Sequence, residues 1–264
     1  MIRVPLWKWS LGTFLILSIW VFTAPFFGVF ADVFIGREGA WRSLASELLP
    51  FIPLFLATPI VWSRVIRRPV RELINISGAL SRRQLIVGFI GWLILASIGT
   101  GVDALLHPSD YRFTFEASTF IPFLLVAMVL LPVQTSAEEF FFRGWILRWA
   151  QHLSAPVAAV ISGVVFALPH MGNPEAVGQT AIALSAWFLL GATWAYVSAR
   201  DGGIELALGA HLANNAFSLL LVGYDDAALP TAAIWTTSSL NMMATLISLL
   251  LMAPIFIRLS KQSR

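Results

Sequence analysis

The chain has 264 residues, of which 58% are hydrophobic and only 12% are charged. Soluble domains average roughly 45–50% apolar and about 25% charged residues, so this composition excludes an ordinary soluble domain. There is no cysteine, which excludes disulfides and thiolate chemistry. The isoelectric point near 9.8 does not indicate nucleic-acid binding, because the basic residues lie in short loops between apolar segments.

The apolar segments are about 20 residues long, enough for helices to cross a hydrocarbon core of about 30 Å. The sequence therefore predicts an all-α polytopic membrane protein with eight transmembrane helices. In chain order, the predicted spans cover residues 9–30, 44–63, 84–106, 119–141, 155–171, 178–199, 203–222 and 232–257. The second span contains three prolines and is expected to be kinked or partly re-entrant.

The basic residues indicate how these spans are oriented. If the N-terminus is cytoplasmic, every basic residue from Arg3 to Arg264 falls in an inside segment except Arg37, Arg42 and Arg112. Such an excess of Lys and Arg marks cytoplasmic loops, so both termini are predicted to be cytoplasmic. The Arg-rich loop 64–83 is expected to anchor this topology, and binding of anionic lipid head groups is the lesser interpretation.

We expect a single transmembrane domain over residues 1–264, because no soluble domain, linker or internal repeat is visible. The dense positive-inside pattern, without an organelle signal, suggests a bacterial inner (cell) membrane. Membrane lipid is then an expected partner and nucleic acid is not. Polar residues inside spans are costly and mark functional sites, and most of them lie between about 120 and 222.

The first candidates are the adjacent acids Glu138 and Glu139, at the end of the fourth predicted span. Neighbouring residues on a helix point about 100° apart, so the two carboxylates are expected to do different jobs. Glu139 and Arg143 are four residues apart with the acid first, the better order for an ion pair. Both acids could instead mark a solvated helix end. The apolar stretch that follows them, which begins with three phenylalanines, argues against that interpretation.

Three further candidates lie on two other predicted helices. His211 and Asn215 are four residues apart and project from one face of the seventh span. His170 ends the fifth span, beside Pro169. A lone buried or interfacial histidine is more often a packing or hydrogen-bonding residue. A His/Asn pair on one stripe of an apolar helix is harder to explain without a function.

Together these residues supply what hydrolysis of a peptide bond by water requires. Glu138 is the candidate general base, and His170 could hold the water or pass protons. His211 and the Asn215 amide could donate hydrogen bonds to the tetrahedral oxyanion, each worth about 3 kcal/mol. From an entry near Phe120, Glu138 would lie about 27 Å along the fourth helix, near the cytoplasmic face. We therefore expect a cavity that opens to the cytoplasm.

At these positions the sequence resembles the type II CAAX prenyl endopeptidases and the bacterial CAAX protease and bacteriocin-processing proteins. That family has the patterns E-E-x-x-x-R, F-x-x-x-H and H-x-x-x-N or D, in this order, and eight helices. The patterns are matched here by Glu138, Glu139 and Arg143, by Phe166 and His170, and by His211 and Asn215. The resemblance covers about residues 120–222.

The resemblance implies an intramembrane endopeptidase. We expect no cofactor, with zinc as the alternative. By this analogy Glu138 and His170 activate water, and His211 and Asn215 form the oxyanion hole. Glu139 and Arg143 hold the geometry of the site. The implied substrate is a peptide or protein, membrane-associated or lipid-modified. In a bacterium a peptide precursor or another membrane protein is a more plausible substrate than a prenylated CAAX peptide.

Three alternatives remain open. A zinc metalloprotease could use Glu138, His170 and His211 as ligands, although there is no H-E-x-x-H motif and the amide of Asn215 is a poor zinc ligand. A non-catalytic membrane scaffold or bacteriocin-immunity protein would not need these costly polar groups. A transporter is the most distant alternative, because no inverted repeat is visible.

Overall fold

The computed structural model describes residues 4–238 and 240–263, so Arg3 and Arg264 of the orientation pattern lie outside the described residues. The protein is built almost entirely from helices. In chain order they are α1 (Leu6–Phe34), α2 (Ala40–Ile66), α3 (Val70–Ile74), α4 (Arg82–Leu106), α5 (Ala117–His152), α6 (Ala155–Gly172), α7 (Thr180–Asp201), α8 (Glu205–Ala216) and α9 (Met242–Leu259).

Within the described residues, seven of these helices are long and apolar enough to cross a membrane, all except α3 and α8. The protein is therefore a multi-pass membrane protein with an α-helical fold. The predicted count of eight is not reached by length and hydropathy, because the segment expected at 203–222 forms a shorter helix. It comprises α8 and a π-helical extension, Phe217–Leu221, and it carries several polar residues.

Short strands, which the sequence did not predict, join three loops at one end of the bundle. The strands are β1 (Tyr111–Phe113), β2 (Val222–Tyr224) and β3 (Trp235–Thr237). Strand β3 lies in the middle, antiparallel to β1 and parallel to β2. We refer to this end as the sheet end. Because β1 follows α4 and β2 follows the π-helical extension of α8, both helices end there.

The opposite end of α8 is fixed to the segment after α2. Asn75 and Gly203 form an isolated antiparallel bridge, and the Asn75 side chain donates to the Glu205 carboxylate. The same carboxylate accepts the backbone N–H of Ser81, whose hydroxyl caps α4. Helices α4 and α8 therefore begin together at this end, which we call the Arg-rich end. The extended α8 thus runs from one end of the bundle to the other.

Two glycines allow α4 and α8 to touch backbone to backbone. A Cβ atom at Gly88 would lie 2.1 Å from the Leu206 carbonyl oxygen, and one at Gly209 would lie 2.0 Å from the Leu85 carbonyl oxygen. Both distances are far shorter than any van der Waals contact. Small residues are the usual means of close helix packing in membranes, where no hydrophobic force drives helices together.

Helix α5 extends well past the predicted end of the fourth span at residue 141. Its 36 residues correspond to about 54 Å, more than the hydrocarbon thickness. Arg143 and Arg148, which the topology prediction placed in a cytoplasmic loop, are consequently buried within α5. Arg148 donates to the carbonyl oxygens of Gly202 and Ile74, so it joins the helix to the Arg-rich end instead of facing solvent.

The N-terminal half of the chain packs against α5 through a tryptophan cluster. Trp9, Trp62 and Trp145 are buried, with ring centroids 5.0–6.3 Å apart. Helix α2 carries a 3-10 turn, Leu49–Phe51, at its first proline, which is the interruption that its prolines predicted. The outer face of α1 exposes large apolar side chains such as Phe22 and Phe26, as expected for contact with lipid.

Candidate active site

Helix α5 turns the two adjacent glutamates in different directions. The Glu139 side chain is fully buried, whereas that of Glu138 retains 11% exposure. Glu139 Oε1 accepts a 2.8 Å hydrogen bond from Arg143 Nη1, one helical turn later, and Arg143 is itself fully buried. The predicted i, i+4 ion pair is confirmed. The helix becomes π-helical directly after Glu139, a distortion that is frequent at functional sites.

His211 of α8 lies between the two glutamates. Its Nδ1 is 2.8 Å from Glu139 Oε1 and its Nε2 is 3.4 Å from Glu138 Oε2. An ionised carboxylate only accepts hydrogen bonds, so Nδ1 carries a hydrogen and donates a hydrogen bond to Glu139 Oε1. The Nε2 edge, which faces Glu138, can therefore donate only in the imidazolium form. The sequence suggested that Glu138 is isolated. In the structure it is linked to Glu139 through one imidazole ring.

Aromatic rings hold this charged group in place. The His211 ring stacks on Trp194 of α7, with centroids 4.6 Å apart. Phe166 of α6 lies under the Arg143 guanidinium, 4.5 Å from the ring centroid, and meets His211 edge-on at 5.9 Å. Guanidinium over an aromatic face is a favourable arrangement when both are desolvated. Phe166, which the motif included without a role, therefore forms part of the wall around the buried charges.

A glycine of α7 completes this arrangement. Arg143 Nη2 donates to the Gly191 carbonyl oxygen at 3.2 Å. A Cβ atom at Gly191 would lie 2.8 Å from the Phe166 ring, too close for any other residue without repacking. Gly191 thus lets Phe166 approach α7 while its backbone binds the arginine. The glycine was not singled out from the sequence, since nothing in its neighbourhood distinguishes it from other small residues in spans.

His170 is held by its own helix. Its Nδ1 is 2.8 Å from the Phe166 carbonyl oxygen, and its ring packs between Phe166 and Trp187. A carbonyl oxygen only accepts, so Nδ1 carries the proton and Nε2 is left with a lone pair. An imidazole in this tautomer can accept a hydrogen bond from water or take a proton from it.

Asn215 belongs to a small amide network. Its Nδ2 donates to Gln134 Oε1 at 3.1 Å, and its Oδ1 accepts from Asn214 Nδ2 at 3.2 Å. The Asn214 oxygen in turn accepts the Trp92 indole N–H at 3.1 Å. The network fixes the Asn215 amide and uses one of its two N–H groups. Gln134 lies one turn before Glu138 on α5, and this i, i+4 spacing is the sequence signal that identifies it as a site residue.

A single cavity of about 760 Å³ brings the candidate residues together. Glu138, His170, His211 and Asn215 all line it. Glu139 and Arg143 do not, because they lie behind His211 and Phe166. The volume is within the roughly 300–1,000 Å³ of sites that enclose a small ligand. Most other lining side chains are apolar and come from α1, α2, α5, α6 and α7.

The cavity extends towards the sheet end of the bundle. Its lining includes Asn173 and Glu175 from the loop between α6 and α7, and Tyr224 from β2. No lining residue comes from the Arg-rich loop 64–83. The lining residues therefore reach the sheet end and not loop 64–83, and an opening to the cytoplasm stays a prediction. The depth estimate assumed that the fourth helix ends near residue 141, whereas α5 continues to His152.

The alternative zinc ligands do not form a metal-binding group. Across residues 4–238 and 240–263, no three His, Asp or Glu side chains are close enough together to hold one ion. Glu138 and His211 approach each other, but His170 does not join them in a group of three that could hold one ion. The three side chains do not fit a zinc site in this conformation.

Part of the chain, residues 117–217, is similar to a known protein family. Residues 117–217 match the family model described as Type II CAAX prenyl endopeptidase Rce1-like. The chain is also similar to "Uncharacterized protein YyaK" of Bacillus subtilis (strain 168), with 35% identity over 186 residues. That match covers 66% of this chain and 62% of the relative, so the chain spans under two thirds of its relative's length. Residues 117–217, which carry the whole candidate site, are a domain of the type II CAAX prenyl endopeptidase Rce1-like family.

Proposed function

We propose that the protein is an intramembrane endopeptidase that hydrolyses a peptide bond with a water molecule activated by Glu138. The observation that supports this best is the convergence of Glu138, His170, His211 and Asn215 on one cavity. The family of residues 117–217 points in the same direction, since its name describes an endopeptidase. The substrate would be a membrane-associated or lipid-modified peptide or protein.

The chemistry assigns one step to each side chain. Glu138 removes a proton as the water oxygen attacks the carbonyl carbon, and the His170 Nε2 lone pair orients that water. The remaining N–H of Asn215 and the Nε2–H of a protonated His211 donate to the oxyanion of the tetrahedral intermediate. Glu138 then returns the proton to the departing nitrogen as the C–N bond breaks. The products are a carboxylic acid, which keeps the second proton of the water, and an amine, and transfer of that proton gives a carboxylate and an ammonium group.

The buried pair behind the cavity would act as a positioning group. Glu139 accepts from both Arg143 and His211, so it fixes the imidazole ring and its tautomer. Arg143 balances the negative charge that two adjacent glutamates bring into an apolar bundle. Neither residue lines the cavity, which agrees with a role that acts through His211.

We also propose that the extended α8 is an eighth crossing and that both termini are cytoplasmic. Support comes from the path of α8, which joins the Arg-rich end to the sheet end. The exposed basic side chains of loop 64–83 favour a cytoplasmic Arg-rich end. A relative from Bacillus agrees with a bacterial cell membrane as the location. Lipid contacts the apolar outer faces, and nucleic acid is no partner.

The test compares membranes that contain the wild-type protein with membranes that contain Glu138→Gln. New N-termini of membrane proteins and peptides are identified by mass spectrometry in both. We expect a set of cleavage products that depends on Glu138. A matched control is Glu116→Gln, which removes an exposed carboxylate at the sheet end, away from the cavity. Identical products with wild type and Glu138→Gln would refute the proposed mechanism.

A further inference from the structure

A second carboxylate, Glu175, lines the same cavity at the sheet end. It belongs to a short 3-10 turn, Pro174–Ala176, between α6 and α7. Although the turn is a loop, the residue is only 5% exposed. Its Oε1 accepts from the Asn173 amide at 3.2 Å, and its Oε2 is buried without a hydrogen-bond partner among the residues that the structure describes.

The hydrogen bonds that Glu175 accepts come from neutral groups and bring no positive charge. Burial has the largest effect and raises the pKa of this carboxyl, and the negative charge of Asp226 raises it as well. Hydrogen bonds from Asn173 and from the backbone of Glu175 and Ala228 act in the opposite direction. Arg112, a basic residue of the same end of the molecule, is paired instead with Asp225 at 2.6 Å. A buried carboxylate without its counter-charge is costly unless something supplies the missing partner.

We propose that Glu175 binds a basic side chain of the peptide substrate, so that the enzyme selects peptides with Lys or Arg at a fixed distance from the cleaved bond. The inference rests on the proposed function, because it assigns a specificity site in the same cavity. The cavity then has two polar ends, with the hydrolytic group around Glu138 at one and Glu175 at the other.

A basic side chain fits this place better than a metal ion does. The unpartnered Glu175 Oε2 and the oxygen of Asn173 offer too few ligands for a cation site, and the described residues contain no group of three metal-binding side chains. The wall of the same cavity is mostly apolar and includes Leu168, Trp187 and Leu229. Lys and Arg carry an apolar stem and a charged head, which suits an apolar wall that ends in a carboxylate.

The experiment uses the purified full-length protein in lipid nanodiscs and a library of fluorogenic peptides. Each peptide is made twice, with lysine or with the uncharged norleucine at one position. For one position of the lysine relative to the cleaved bond, we expect the wild-type kcat/KM to be at least about tenfold higher for the lysine peptide than for the norleucine peptide. In Glu175→Gln that ratio should fall towards one, and in the surface control Glu116→Gln it should persist.

Binding to the inactive Glu138→Gln protein separates this inference from the proposed function. Lysine peptides should bind at least about tenfold tighter than norleucine peptides, and the double variant with Glu175→Gln should lose the difference. This readout holds even if no library peptide is cleaved. If peptides are cleaved without any preference for lysine, the proposed function stands and the role of Glu175 is refuted. Equal binding of lysine and norleucine peptides also refutes the role of Glu175. If Glu175→Gln does not fold, the ratio of kcat/KM between lysine and norleucine peptides with the wild-type protein decides alone.

Discussion

Replacing each of the two adjacent glutamates by glutamine should separate chemistry from stability. Glu139 Oε1 accepts hydrogen bonds of 2.8 Å from both Arg143 and His211, and both Glu139 and Arg143 are fully buried. In Glu139→Gln the guanidinium keeps its place without a counter-charge. Removing one partner of a buried ion pair costs about 3–5 kcal/mol. A glutamine oxygen still accepts one hydrogen bond, so we expect a loss of about 3 kcal/mol.

Glu138→Gln should behave differently. The Glu138 side chain borders the cavity, and its contact with the protein's charged groups is the 3.4 Å approach to His211. Glutamine has nearly the same shape, so we expect a change in unfolding free energy within about 1 kcal/mol. Cleavage should nevertheless be abolished, since the amide cannot accept the proton from water.

The assay is unfolding in detergent micelles, followed by the fluorescence of the 11 tryptophans. Glu72→Gln is the matched control, because it breaks an Arg–Glu pair of the same i, i+4 spacing whose side chains are 43% and 22% exposed. Such a surface pair contributes at most about 1 kcal/mol. If Glu139→Gln unfolds like this control, or if Glu138→Gln loses as much stability as Glu139→Gln, the division of roles between the glutamates is wrong.

Four further outcomes are expected. Asn215→Ala should lower kcat by roughly 10²–10³ and leave KM nearly unchanged, and an equal loss in KM would argue against oxyanion binding. Elemental analysis of the purified protein should find no stoichiometric zinc, and zinc lost on mutation of any alternative ligand would contradict the Glu138 mechanism. The preference for lysine peptides should increase with pH as Glu175 ionises. The pH midpoint of this increase should lie above the pKa of an ordinary glutamate, because burial and the facing Asp226 raise the pKa of Glu175. A preference that stays flat from about pH 4 to about pH 8 would contradict the role of Glu175. Single cysteines introduced at two exposed basic positions of the sheet end should be labelled from outside. Cysteines at two positions of the Arg-rich end should be labelled from inside. Labelling of both ends from the same side would contradict the eight-span topology. These positions are Arg37 and Arg112 outside, and Arg67 and Lys261 inside.

The sequence predicted what depends on a single helix. Hydropathy located all seven long apolar helices of the described residues, because each span is itself a continuous apolar segment. Helical periodicity predicted the Glu139–Arg143 pair and placed His211 and Asn215 on one stripe, since residues four apart share a face. Both results follow from the geometry of an isolated helix and need no knowledge of its neighbours.

Contacts between helices could not be predicted in the same way. The hydrogen bond from His211 to Glu139 joins residues 72 positions apart, and it depends on how α8 is rotated and shifted against α5. That register follows from side-chain packing along the whole interface, including the glycine contacts of α4 with α8. The length of α5 was missed for a related reason. Arg143 and Arg148 look like loop residues until their buried partners are known.

The linkage through His211 explains why two acidic residues occur side by side in an apolar bundle. A single glutamate at the cavity would have no means of fixing the imidazole that faces it, because Nδ1 and Nε2 lie on different edges of the ring. Glu139 binds Nδ1 from within the protein, and Glu138 approaches Nε2 from the cavity. Since adjacent residues on a helix diverge by about 100°, one helical step suffices to place a carboxylate on each edge. Arg143 then compensates the buried charge on the side away from the cavity, and the Glu138 carboxylate stays accessible from the cavity.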